Sequence, residues 1–154
     1  MKQSIQLSVN HQHYTLDVEA HCTLLDLLRN ELGLLGTKKG CDKGDCGTCT
    51  VLVNDQPVNA CLYLAVRADN KDIRTVEGLE SEQGLHPLQK SFLEKGAVQC
   101  GFCTPGMLMT AAGLLKSTSN PTEDDVRKAI SGNLCRCTGY QHIVDAVLDC
   151  ADKT

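Results

Sequence analysis

Eight of the ten cysteines in this 154-residue chain fall into two four-thiol sets, and their spacing constrains the fold more than any other feature. The first set is Cys41-x4-Cys46-x2-Cys49 followed by Cys61, and the second is Cys100-x2-Cys103 followed by Cys135-x-Cys137. Each set has to be gathered to a point, so the chain needs two separately built cradles. Small domains with thin cores lean on metals or disulfides, and here aromatic residues make up only 3% of the chain with no Trp. A disulfide framework is the competing use of so many cysteines. The start, Met1-Lys2-Gln3-Ser4-Ile5-Gln6, has neither an apolar h-region nor a twin arginine, and a reducing cytosol favours metal ligation over disulfides. The expectation is a cytoplasmic chain with cysteine-held metal.

Several function classes fall away. The net charge is −4 and the 15 Lys and Arg residues are scattered, so nothing marks a nucleic-acid surface. No apolar run is long enough to span a bilayer. No Ser/His/Asp set, phosphate-binding loop or dinucleotide fingerprint is visible, so the chain shows no machinery for substrate chemistry. The five histidines form no ligand pair with a cysteine, which leaves a Rieske-type cluster unsupported.

Hydrophobic periodicity divides the chain. Ile5, Leu7 and Val9, then Tyr14, Leu16 and Val18, alternate around a polar turn at Asn10 to Gln12, predicting a β-hairpin. Thr23-x-x-Asp26 reads as a weak helix cap, with Leu24, Leu25, Leu28 and Leu32 on one helical face before Gly33. Residues 36–47 read as a loop; 50–53, 58–62 and 73–76 read as strands. Beyond about Glu80 the period becomes helical. Leu85, Leu88 and Phe92 mark one helix, Met107 to Leu115 a second opened by Pro105, Val126 to Ile130 a third, and Ile143 to Leu148 a fourth. The expected organisation is α+β, with one domain over residues 1–78 and a helical one over 79–154.

The cysteine chemistry follows from spacing. C-x4-C-x2-C with a distant fourth cysteine is the plant-type arrangement for a 2Fe–2S cluster, and Cys41, Cys46, Cys49 and Cys61 fit it. Gly40, Gly44 and Gly47 allow the loop to turn its amides toward sulfur. Taken alone, Cys100, Cys103, Cys135 and Cys137 fit either a second cluster or a zinc site, since both use such short pairs. Pro105 places the first pair ahead of a helix, so helix-end amides could stabilise an anionic cluster. Cys22 and Cys150 lie at no ligand spacing and read as buried inert thiols.

Three segments then carry a family resemblance: Gly40-Cys41-Asp42-Lys43-Gly44-Asp45-Cys46-Gly47-Thr48-Cys49-Thr50-Val51, Val98-Gln99-Cys100-Gly101-Phe102-Cys103-Thr104-Pro105-Gly106-Met107, and Gly132-Asn133-Leu134-Cys135-Arg136-Cys137-Thr138-Gly139-Tyr140. Together they resemble the iron–sulfur subunit of the xanthine dehydrogenase and aldehyde oxidoreductase family of molybdenum hydroxylases, from about Ile5 to Cys150. The resemblance implies a β-grasp ferredoxin-like domain followed by a four-helix bundle, each holding one 2Fe–2S cluster. It implies electrons passing from a molybdopterin centre on a large subunit to the helical-domain cluster, then to the ferredoxin-domain cluster and an FAD-binding medium subunit, in a heterotrimer that could dimerise. By the same resemblance Gln99 and Cys137 contact the pterin cofactor. No bond of the substrate is made on this chain. The segments Cys61-Leu62-Tyr63-Leu64-Ala65 and Asp72-Ile73-Arg74-Thr75-Val76-Glu77-Gly78, with Tyr140 to Cys150, look most like bacterial three-subunit xanthine dehydrogenases, implying a purine such as xanthine as the complex's substrate. Related subunits serve enzymes acting on aldehydes, nicotinate, isoquinoline, carbon monoxide or hydroxybenzoyl-CoA. A free-standing two-cluster ferredoxin and a zinc-stapled interaction module are the competing readings.

Overall fold

Strand β1 (Lys2–Val9) buries Ile5, Leu7 and Val9 in alternation, as its sequence requires, and pairs antiparallel with β2 (Gln12–Glu19). The connection is two residues long, with Asn10 at φ 50° and His11 at φ 69°, the left-handed pair that a tight hairpin needs. The computed structural model describes residues 1–153; residue 154, the end of the expected helical domain, lies outside the described residues. Among them β3 (Thr50–Val53), β4 (Gln56–Asn59) and β5 (Asp72–Arg74) complete a sheet of order β2-β1-β5-β3-β4. The β1–β5 pair is parallel and the others are antiparallel. The mixed α+β class is as expected.

Two strand boundaries differ from the expectation. A second two-residue turn, Asn54 and Asp55 at φ 48° and 64°, sets Gln56 opposite Val53, so β4 occupies 56–59 rather than 58–62. Cys61 therefore lies beyond the strand, in a turn fixed by Ala60 N–H donating to Cys49 O at 3.3 Å and Leu62 N–H donating to Asn59 O at 3.0 Å. Strand β5 stops at Arg74 rather than Val76. There the Thr75 N–H donates to the Asn10 side chain at 2.9 Å instead of continuing the ladder.

Helix α1 (Leu24–Asp26) starts where the cap signal placed it, with Asp26 N–H donating to Thr23 Oγ1 at 3.1 Å. It then widens into a π-helical turn over Leu27–Glu31, with Leu32 N–H reaching back five residues to Leu27 O at 3.1 Å. That widening keeps Leu27 and Leu28 buried beside Leu24 and Leu25, packed with Val51, Val53 and Ile73 of the sheet. The helical period had omitted Leu27.

Four further helices follow: α2 (Pro87–Glu94), α3 (Thr104–Ser117), α4 (Glu123–Ala129) and α5 (Gln141–Asp152). Reciprocal side-chain caps open two of them, His86 with Gln89 at α2 and Thr122 with Asp125 at α4. Leu88, Phe92, Met107, Val126, Ile143 and Val147 form a shared core. Strand β3 is buried on both faces. Val51 and Val53 belong to the sheet core, while Leu52 belongs to the helical one. Gly113 of α3 makes that contact possible, because a Cβ there would meet the Leu52 and Pro57 side chains at 3.1 Å. The two parts are packed against each other, not merely tethered.

Candidate metal centres

The loop before β3 carries three of the first four cysteines. Asp42, Gly44 and Gly47 all have positive φ, at 57°, 84° and 70°, and this bends successive amides inward. Cys41 Sγ accepts from Asp45 N–H at 3.2 Å and Cys46 N–H at 3.3 Å, while Cys46 Sγ accepts from Cys41 N–H at 3.4 Å. Cys46 Sγ also pairs with Thr48 Oγ1 at 3.2 Å. Gly40 leaves room for this, since a Cβ there would come within 2.9 Å of Cys46 Sγ. The amide of Lys43, with those of Cys46 and Asp45, holds the Cys41 thiol down to about 6. Cys49 behaves oppositely. Burial, reinforced by the neighbouring Cys61 thiol, pushes it up to about 12.

The second set is assembled from a helix start and a turn. Cys103 is the residue that precedes the first turn of α3, and Cys135 and Cys137 lie in the turn between Gly132 and α5. The Cys135 sulfur takes its donors from the turn. Thr138 N–H reaches Cys135 Sγ at 3.4 Å and Thr138 Oγ1 lies 3.1 Å from the same sulfur. Burial raises the Cys135 thiol, but the Thr138 hydroxyl and amide, with the Cys137 amide and the Cys103 thiol, outweigh it and leave the thiol below its ordinary value. Burial pushes Cys103 up to about 12. Cys100 and Cys137 are exposed, as is Gln99 beside them.

Each set closes as two pairs. Cys41 lies beside Cys46 and Cys49 beside Cys61 in the first; Cys103 lies beside Cys135 and Cys100 beside Cys137 in the second. Two-plus-two is the division a two-iron cluster needs, with two protein ligands to each iron, whereas structural zinc draws four ligands around one ion. Amide and hydroxyl donors aimed at sulfur suit an anionic cluster as well. The residues therefore fit 2Fe–2S groups, whose chemistry is one-electron transfer.

Cys41 and Cys46 of the first set, with Thr48, line a cleft of about 320 Å³ together with Cys100, Cys103, Cys135 and Cys137 of the second. Leu134 N–H donates to Cys46 O at 2.8 Å, so a ligand residue of one set is hydrogen-bonded to the neighbour of a ligand in the other. Sequence reasoning named the eight cysteines but not Thr48, Thr138, Thr110 or Asn133. Thr48 and Thr138 carry a local signal, small polar residues two or three positions from a cysteine in the ligand motifs; Thr110 and Asn133 carry none. Cys150 is buried in the helical core as expected, but Cys22 is only half-buried, with Sγ 3.5 Å from Thr23 O.

Comparison with known proteins agrees with this geometry. Residues 7–79 match the family described as 2Fe-2S iron-sulfur cluster binding domain, and residues 75–148 match that described as [2Fe-2S] binding domain. The chain is 52% identical over 145 residues to the nicotine 6-hydroxylase small subunit of Paenarthrobacter nicotinovorans, covering 94% of this chain and 87% of that one. It is 48% identical over 153 residues to the xanthine dehydrogenase iron-sulfur-binding subunit of Escherichia coli O157:H7, covering 98% and 95%. Among solved structures, a chain of quinoline 2-oxidoreductase from Pseudomonas putida 86 superposes with a TM-score of 0.94 at 46% identity, covering 98% of this chain and 94% of that one. No helix among the described residues is long and apolar enough to cross a membrane. With two cluster-binding domains in tandem and relatives of this similarity over nearly the whole chain, the protein belongs to the iron–sulfur subunit family of the molybdenum hydroxylases.

Proposed function

We propose that this chain is the electron relay of a molybdenum hydroxylase, with Cys41, Cys46, Cys49 and Cys61 holding one 2Fe–2S cluster and Cys100, Cys103, Cys135 and Cys137 the other. The observation that carries this is the hydrogen bond from Leu134 N–H to Cys46 O at 2.8 Å, which joins the ligand loops directly. A diffusing carrier needs one cluster; two ligand sets whose loops are hydrogen-bonded to each other suit transfer in series. We divide the chain at residues 78 and 79, and read α2 to α5 as a four-helix bundle around the second set.

Exposure supports an order for the relay. Gln99, Cys100 and Cys137 are exposed together, with Phe102 and Leu134 as exposed apolar neighbours. Such a face fits a large subunit that presents its molybdopterin to Gln99 and Cys137, while the first set passes electrons onward to an FAD-binding subunit. The complex is a heterotrimer in this reading, placed in the cytoplasm. Its reaction is hydroxylation of a carbon by water. Nicotine, xanthine and quinoline, named for the three relatives, are all nitrogen heterocycles, so we assign that substrate class, with a purine such as xanthine as the specific candidate.

The test is purification of the native complex with analysis of iron, acid-labile sulfide, molybdenum and flavin, followed by turnover of xanthine, nicotinate and an aldehyde. Co-purifying molybdenum and flavin subunits with heterocycle turnover are expected. Isolation as a lone iron protein would overturn the relay between subunits, and oxidation of aldehydes alone would overturn the substrate class.

A further inference from the structure

We infer that Asn133 is the positioning residue that fixes the two ligand loops relative to each other; the inference deepens the relay reading above and rests on it. Asn133 is only 5% exposed and lies two residues before Cys135. Its Nδ2 donates to Gly47 O at 2.9 Å and to Thr50 Oγ1 at 3.3 Å, across to the first ligand loop. Its Oδ1 accepts from Thr110 Oγ1 of α3 at 3.0 Å. The amide orientation follows from chemistry. Gly47 O can only accept, and the Thr50 hydroxyl already donates to Gly47 O at 2.7 Å, so the side facing them must be the amino group.

The surroundings leave no slack. A Cβ on Gly47 would lie 2.8 Å from Asn133 Nδ2, and one on Gly106, in the first turn of α3, would lie 3.1 Å from Thr48 Cα. Three segments therefore meet at one side chain: the loop bearing Cys46 and Cys49, the helix that follows Cys103, and the turn bearing Cys135. The next residue, Leu134, makes the backbone bond to Cys46 O. Releasing Asn133 frees the hinge between the sets without touching any ligand. Asn133 thus holds the two ligand loops in register while binding neither cluster.

The decisive variant is Asn133→Asp in the full holo-chain. It keeps the size and the acceptor for Thr110, but it turns an oxygen toward Gly47 O and Thr50 Oγ1. Hydrogen exchange at the Leu134 amide should accelerate by about 5–30-fold, the factor for a buried hydrogen bond lost. The magnetic interaction between the two reduced clusters should weaken while iron content stays that of the unaltered chain. A merely space-filling role would move neither readout. Asn133→Asp with unaltered Leu134 protection and unaltered magnetic interaction overturns the inference. If that variant assembles no clusters, Thr110→Val decides, since it keeps both donated bonds but removes the group that fixes the amide. A smaller acceleration at Leu134 is then expected, and none would overturn the proposal. Failure of the relay reading would show separately, as an unaltered chain without iron or without partner subunits, and the Leu134 comparison would stand apart from it.

Discussion

The two ligand sets reach the same two-plus-two arrangement by different means. The first is wrapped by a loop with three left-handed residues, and backbone amides supply most of its donors, beside the Thr48 hydroxyl. The second is stretched between a helix start and a turn, and Thr138 supplies donors to Cys135 while Cys100 and Cys137 stay exposed. Donor number and solvent access set cluster potentials. The two centres should therefore differ electronically although their ligands are identical. A relay needs such a difference, because identical centres give electrons no direction.

The comparison breaks most visibly when one set is removed. Cys46→Ser should eliminate the loop-held cluster and halve the iron per chain, leaving the second cluster's spectrum intact and reducible from the molybdenum side. Flavin reduction in the complex should stall; normal flavin reduction would contradict the order of the relay. Stability separates the halves next. Phe92 is almost fully buried in the helical core, and Phe92→Ala should cost about 3–5 kcal/mol, with hydrogen-exchange protection lost first in α2 and α5 and last in β1 and β3. Uniform loss throughout would mean that the cores unfold as one.

Smaller effects sharpen the contrast. Gln99→Ala should leave both clusters assembled but weaken cofactor retention by roughly 1–3 kcal/mol, the range for a partner left unpaired at a desolvated contact. Unchanged molybdopterin content and turnover would remove Gln99 from the interface. Thr138→Val deletes a hydroxyl 3.1 Å from Cys135 Sγ, and Thr48→Val one 3.2 Å from Cys46 Sγ. Each should shift the potential of its own cluster, by the equivalent of about 0.5–1.5 kcal/mol for one hydrogen bond, and leave the other unmoved. Redox titration followed by electron paramagnetic resonance reads both, and a shift in the wrong cluster would show that the sets are not electronically separate.

Much of this was legible in the residues. Period two gave the first hairpin, Thr23 and Asp26 gave the start of α1, and Pro105 gave the start of α3. Cysteine spacing singled out the eight thiols proposed as ligands, and the second set needed the family resemblance to choose between a cluster and zinc. The departures have local causes. The left-handed pair Asn54-Asp55 consumes only two residues where a longer loop was expected, and that moves β4 and leaves Cys61 in a turn. The π-helical turn arises because burying Leu27 with its neighbours overrides the regular period. Asn133 was illegible for a different reason: its partners Gly47 and Thr50 are more than eighty residues away in the chain, and no local pattern encodes such a contact.

On the proposed reading each cysteine set holds one 2Fe–2S cluster, in unlike surroundings. Electron paramagnetic resonance of the fully reduced native protein, with iron and acid-labile sulfide measured on the same sample, tests it most directly. Two distinct paramagnetic species of equal intensity are expected, with iron and sulfide in equal amounts. A single species after complete reconstitution, or stoichiometric zinc in place of iron, would contradict it.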